Sequence, residues 1–111
     1  MEAAALAPVA RPRLDFARVL LALLAEVSAL SLGPLRLLGV PGEPTVDAGA
    51  RLREATGAGT VLGLADGYLG YVETPEAVAA ERGEARRQYF GPSLLEQLSA
   101  GARAAAQAAG F

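Results

Sequence analysis

Hydrophobic positions along this chain change period several times, and each change marks an element. Phe16, Val19, Leu20, Leu23 and Leu24 follow i, i+3, i+4, i+7, i+8 spacing, which predicts a helix over 15–26 with one buried face. Asp15 stands at its start, where a carboxylate suits the positive end of the helix dipole. The run Val19 to Ala25 is far short of the ~20 apolar residues of a membrane span, and Arg18 and Glu26 bracket it. Two short apolar runs follow, Val27 to Leu32 and Leu35 to Val40, divided by Gly33-Pro34. Two residues of turn chemistry between two such runs predict a β-hairpin, and a leading glycine suits a type II′ turn. Leu35, Leu37 and Leu38 are too apolar for a solvated face, so this second strand reads as covered on both sides.

Pro41-Gly42-Glu43-Pro44 stops the strand. Pro44 fits the first position of a helix, which puts Glu43 at the N-cap. The helix runs to about Ala55 and is closed by Gly57 and Gly59, with Val46, Gly49, Ala50 and Leu52 facing the sheet and Asp47, Arg51 and Glu54 facing water. Thr60 to Ala65 is another strand, and Asp66-Gly67-Tyr68-Leu69-Gly70-Tyr71 follows it. Gly67 and Gly70 allow unusual backbone angles and close approach of a ligand or another chain segment. Thr74 caps a short helix with Pro75 in its first turn. The charged span Glu81 to Arg87 reads as a solvated loop, and Tyr89-Phe90-Gly91-Pro92 as an apolar anchor and a turn. Ser93 with Glu96 three residues on has the form of a capping box for a last helix, whose stripe is Leu94, Leu95 and Leu98. Beyond Ala100 that helix is nearly all alanine, with little area to bury, so its end is expected to fray or to cover another subunit.

Strand, helix, strand in this order is a βαβ unit, which requires the strands at 35–40 and 60–65 to be parallel. The expected fold class is α/β: a small mixed sheet containing a parallel βαβ unit, flanked by helices, as part of a larger layered catalytic domain. Residues 1–13, rich in Ala and Pro, read as a loose N-terminal arm, and 14–111 as a single domain. Open parallel sheets bind ligands beyond the carboxyl ends of their strands. Glu43 leaves one such end, and Asp66, Tyr68 and Tyr71 leave the other, so they are expected to converge on one edge. Each has a plainer reading as well: Glu43 as a surface carboxylate complementing the helix dipole, and the tyrosines as packed rings with satisfied hydroxyls.

Composition removes most other chemistry. The 111 residues contain no Cys and no His, which excludes disulfides, thiolate nucleophiles, serine triads of the usual type and the commonest metal ligand. A net charge of −2 gives no electrostatic case for nucleic acid or an anionic membrane. The N-terminal stretch lacks a signal-peptide pattern, so the chain as written is expected to be cytoplasmic, and secreted if an upstream segment carries an export signal.

Four successive motifs, Leu37-Leu-Gly-Val-Pro-Gly-Glu-Pro44, Gly63-Leu-Ala-Asp-Gly-Tyr-Leu-Gly-Tyr-Val72, Thr74-Pro-Glu76 and Phe90-Gly-Pro92, resemble in order and approximate spacing those of the neutral/alkaline ceramidase family, in the later part of its catalytic domain. The resemblance covers roughly Val27 to Leu98. It implies a partial zinc-dependent amidohydrolase domain that, when complete, cleaves the amide of N-acyl sphingoid bases. It also implies that Glu43 and Tyr68 are zinc ligands. Tyr71 is a candidate to stabilise the oxyanion. Where the family's tyrosine motif usually has Asn, this chain has Asp66, and Ser93 stands where His is frequent. The family's zinc-binding histidines lie in an earlier part of the domain, so zinc is expected only if a histidine-bearing companion segment completes the site. The chain alone is then expected to be inactive and to require that segment or to self-associate. The alternative is a non-catalytic α/β association module.

Overall fold

A computed structural model describes residues 2–5, 25–65 and 67–111; for 2–5 it describes the backbone only. The expected helix over 15–26 falls mostly outside these residues. Its last position is corrected: Glu26 is already strand, because its backbone pairs with Ala5.

One four-stranded sheet is built from β1 (Glu2–Ala5), β2 (Glu26–Leu32), β3 (Leu35–Gly39) and β5 (Thr60–Leu62), in that spatial order. The loose-arm reading of residues 1–13 does not hold for Glu2–Ala5, which form an edge strand antiparallel to β2; residues 6–13 are not described. β2 and β3 form the expected hairpin, with Leu32 opposite Leu35 and Gly33 at φ +56°, as a leading II′ position requires. β3 and β5 are parallel, with Leu37 opposite Thr60 and Gly39 opposite Leu62. Helix α1 (Val46–Thr56) makes the crossover, so the βαβ unit and the mixed α/β class are both present. A parallel ribbon of β4 (Glu43–Pro44) and β6 (Tyr71–Val72) stands beyond the carboxyl ends of β3 and β5. Helix α2 (Pro75–Ala79), a single 3₁₀ turn at Ala85–Arg87 and helix α3 (Leu94–Ala108) complete the described chain.

The core lies between one face of the sheet and helices α1 and α3. Val27 and Ala29 of β2, Leu38 of β3, Ala48 and Leu52 of α1, and Leu94, Leu95 and Leu98 of α3 are all buried there. The opposite face is not covered as expected. Leu35 is 56% exposed, and Leu32 and Leu62 are about half exposed on the same face, because no described helix packs over them.

Three local expectations change. Val46 is 87% exposed and Ala48 takes its place in the core, because the helix begins one residue past Thr45 and not at Pro44. Ser93 makes no capping bond; its hydroxyl accepts from Gln97 Nε2 at 3.1 Å instead. Tyr89 is exposed, and only Phe90 of the expected anchor packs on the core.

The alanine-rich end of α3 does not fray. Ala102, Ala105 and Ala106 are buried, because their small side chains let α3 approach β2 and α1 closely. The helix ends in a Schellman motif: Gly110, at φ +80°, donates to Gln107 O at 3.2 Å and Phe111 donates to Ala106 O at 2.9 Å. The Phe111 ring then carries the Arg36 guanidinium 5.8 Å from its centroid.

Leu98 is fully buried where α3 meets the rest of the core. Leu98→Ala is expected to lower the unfolding free energy by ~2–5 kcal/mol in a denaturant titration.

Candidate functional site at the carboxyl edge of the sheet

The site is organised by backbone hydrogen bonding between two turns, 40–45 and 62–72. Val40 N–H donates to Leu62 O, Ala65 N–H to Val40 O, Leu69 N–H to Pro41 O, Leu64 N–H to Gly42 O, Glu43 N–H to Gly70 O and Thr45 N–H to Val72 O, at 2.6–3.1 Å. The contact is close enough to demand glycine. A Cβ on Gly42 would lie 2.8 Å from Gly70 O, and one on Gly70 would lie 2.8 Å from the Tyr89 ring. Gly70 also has φ +83°. The close approach foreseen for Gly67 and Gly70 is therefore of chain to chain: a Cβ on Gly67 would meet Pro41.

This zipper brings Glu43 and Tyr71 together as register partners of parallel strands, so their side chains leave the same face of the β4–β6 ribbon. Both are half-buried. Tyr68, three residues before Tyr71 in the turn that reaches the same carboxyl edge, is 62% exposed. Asp66 lies outside the described residues. Glu43 does not cap α1. Thr45 does, accepting from Ala48 N–H at 3.4 Å, because a threonine hydroxyl is suited to that role and Pro44 is held in β4.

A buried carboxylate that sequence reasoning missed supports this arrangement. Glu73, directly after β6, is 5% exposed. Its carboxylate accepts from the Thr45 hydroxyl at 2.7 Å, from Thr74 N–H at 3.3 Å and from Glu84 N–H at 2.9 Å. Its own N–H donates to Gln88 Oε1 at 2.5 Å, and Gln88 Nε2 donates to Gly91 O. Burial pushes the Glu73 pKa up, but the bonds from Glu84, Thr45 and Thr74 and the nearby Arg82 charge outweigh it and hold it below the ordinary carboxylate value. Glu73 thus ties the start of α1, the cap of α2 at Thr74 and the 81–84 loop to β6. No sequence signal marks it, since Thr45 and Glu84 lie 28 and 11 residues away along the chain. Thr45 was legible as the Ser/Thr type preferred at an N-cap.

A cleft of about 420 Å³ opens beside Glu43, between the start of α1 and β5. Val46 and Arg53 of α1, Val61 of β5 and Leu64 line it. Leu64 holds φ +57°, an unusual conformation for a leucine. Neither Tyr68 nor Tyr71 lines this cleft.

A scan against family models finds no match. Individual proteins do match. The chain is 38% identical over 73 residues to neutral ceramidase of Mycobacterium tuberculosis, which is 59% of this chain and 12% of that protein. It is 39% identical over 75 residues to neutral ceramidase of Pseudomonas aeruginosa, 60% of this chain and 11% of that protein. The fold agrees: a solved ceramidase complexed with C2 superposes with a TM-score of 0.67 at 33% identity over 75% of this chain and 14% of the other. Over about three fifths of its length this chain resembles one part of the neutral ceramidases. The Pseudomonas aeruginosa neutral ceramidase structure gives a TM-score of 0.54 at 31% identity, over 76% of this chain and 15% of the other. The chain therefore spans only about an eighth of the ceramidases it resembles in sequence.

The donor set does not fit a complete catalytic zinc centre. Such a centre needs three protein ligands and an open position. The sequence holds no His or Cys, and among the described residues no three carboxylates cluster.

Two outcomes test the Glu73 tie. Its lowered folded pKa means that ionised Glu73 adds stability above the ordinary carboxylate range, and that this contribution is lost as pH falls through the folded value. Glu73→Gln is expected to cost on the order of 1–3 kcal/mol at neutral pH and to flatten the acid limb of the stability profile, measured by thermal melts across pH. Gly83→Ala is expected to destabilise in the same assay, because its Cβ would overlap the Glu73 carboxylate and Gly83 sits at φ +58°.

Proposed function

We propose that this chain supplies one part of the active site of a ceramidase-like amidohydrolase, acting on the amide of N-acyl sphingoid bases once a companion segment is present. The observation that carries this reading is the Glu43–Tyr71 register at the carboxyl edge of the sheet, in a chain 38% identical over 73 residues to a neutral ceramidase. In this reading Glu43 and Tyr68 offer oxygen donors to a zinc ion whose nitrogen donors come from histidines of the companion. Glu43 and Tyr68 would be this chain's share of the residues that hold such an ion, and the chemistry it would supply when bound is that of a Lewis acid. Tyr71, held beside Glu43 by backbone pairing, donates a hydrogen bond to the carbonyl oxygen of the scissile amide as charge develops on it. The rigid turns that carry these groups supply orientation, which is the larger share of what a small segment can contribute to catalysis.

The absence of histidine favours a second reading, a non-catalytic association module. Purified chain is expected to hydrolyse a ceramide analogue no faster than buffer. Addition of a histidine-bearing ceramidase segment is expected to produce chelator-sensitive hydrolysis, and Glu43→Ala to reduce it by about a hundredfold or more. Association without any chelator-sensitive turnover in that mixture identifies the module instead.

A further inference from the structure

The open edge of β5 coincides with the cleft beside Glu43. β5 ends the four-stranded sheet, with β3 on one side and no described strand on the other. Leu62 sends its carbonyl to Val40 N–H at 2.9 Å, so it faces β3. By the alternation of a parallel ladder, Val61 turns its N–H and C=O away from the sheet. Val61 lines the cleft, and so does Glu43, at the end towards which β5 runs. Across from this edge stand Val46, one of the most exposed apolar residues among those described, and Arg53. Leu62 and Leu64, about half exposed, extend the apolar surface around the same edge.

An open strand edge with apolar flanks is a site for strand addition, in which main-chain bonds give affinity and side-chain pockets give register. β5 is only three residues long, too short an edge to hold two copies of this chain together by itself. The stretch that matches makes up only 11–14% of the ceramidases that this chain resembles, so the same fold there is embedded in much more protein. We infer that the β5 edge and its cleft receive an extended strand from a companion polypeptide that supplies the remainder of a ceramidase-like domain, and that this strand ends beside Glu43. The inference rests on the reading under Proposed function and adds the surface by which the companion is held. Docking here continues the sheet by one strand, covers Val46 and Leu64, and delivers companion side chains to the carboxyl edge where Glu43 and Tyr71 stand.

The probe is Pseudomonas aeruginosa neutral ceramidase from which the 75-residue matching stretch has been removed, mixed with the full chain. Binding is read by calorimetry, and protection of the Val61 amide by hydrogen exchange. Val61→Pro removes the outward N–H while leaving the bonds to β3 intact, and Val46→Asp places a charge in the cleft. Each is expected to weaken binding at least about tenfold, with Arg103→Asp, at an exposed position of α3 outside the cleft lining, leaving it unchanged. Thermal melts of each variant confirm that it folds. A chimera with residues 27–98 of this chain in place of the enzyme's own stretch is the second measurement, guarding against failure of the trimmed enzyme to fold. Val61→Pro is expected to lower the chimera's melting temperature more than it lowers that of the free chain. Binding or hydrolysis that is indifferent to both cleft variants overturns the docking surface and leaves the ceramidase reading standing. Binding lost in the cleft variants, but with no hydrolysis in the mixture or the chimera, overturns the ceramidase reading and leaves the surface. A dimer of the chain alone that Val61→Pro dissolves assigns the edge to a second copy and overturns the companion strand.

Discussion

The zipper of backbone hydrogen bonds between the turns at 40–45 and 62–72 is the constraint on which the rest depends. It continues the parallel pairing of β3 and β5 past the end of the sheet, into segments whose sequence reads as loop. Backbone pairing of this kind satisfies polar groups that would otherwise be stranded where two turns are pressed together. It also leaves little freedom to the side chains it carries. Glu43 and Tyr71 are neighbours because their main chains are paired, whatever their side chains do.

The second tie is the buried carboxylate of Glu73. A carboxylate taken out of water is tolerated only when its oxygens are well bonded, and here three donors from three separate segments meet it. Because one donor is the Thr45 hydroxyl that also caps α1, the start of that helix and the end of β6 are joined through a single side chain. The zipper and this tie meet at Thr45, next to β4. In the function proposed above, groups supplied by a companion would meet Glu43 and Tyr71 on segments already held by these bonds.

The described surface is uneven in a consistent way. One face of the sheet is packed against α1 and α3 down to the alanines, while Leu32, Leu35 and Leu62 on the other face remain about half exposed. The exposed Val46 and Leu64 stand at the open β5 edge. Apolar residues left in this pattern fit a segment that covers 14–15% of the solved ceramidases it resembles.

Much was legible in the sequence because it is encoded locally. Gly33-Pro34 between two apolar runs specifies a hairpin, Thr74-Pro75 specifies a helix start, and Gly57 specifies a helix end, each through the conformations of two or three adjacent residues. Strand–helix–strand order then forces β3 and β5 to be parallel and sends Glu43 and Tyr68 to one edge. The local signals misled where tertiary bonds competed with them. Pro44 looks like a first helical residue, but pairing with Val72 keeps it extended and hands the cap to Thr45. The alanines of α3 have too little area to promise burial, and only the close approach of β2 and α1 buries them. Glu73, Gln88 and the cleft at β5 were decided wholly by the tertiary structure. Their partners are brought from distant parts of the chain, and no spacing along a sequence encodes a contact that exists only after the segments have packed.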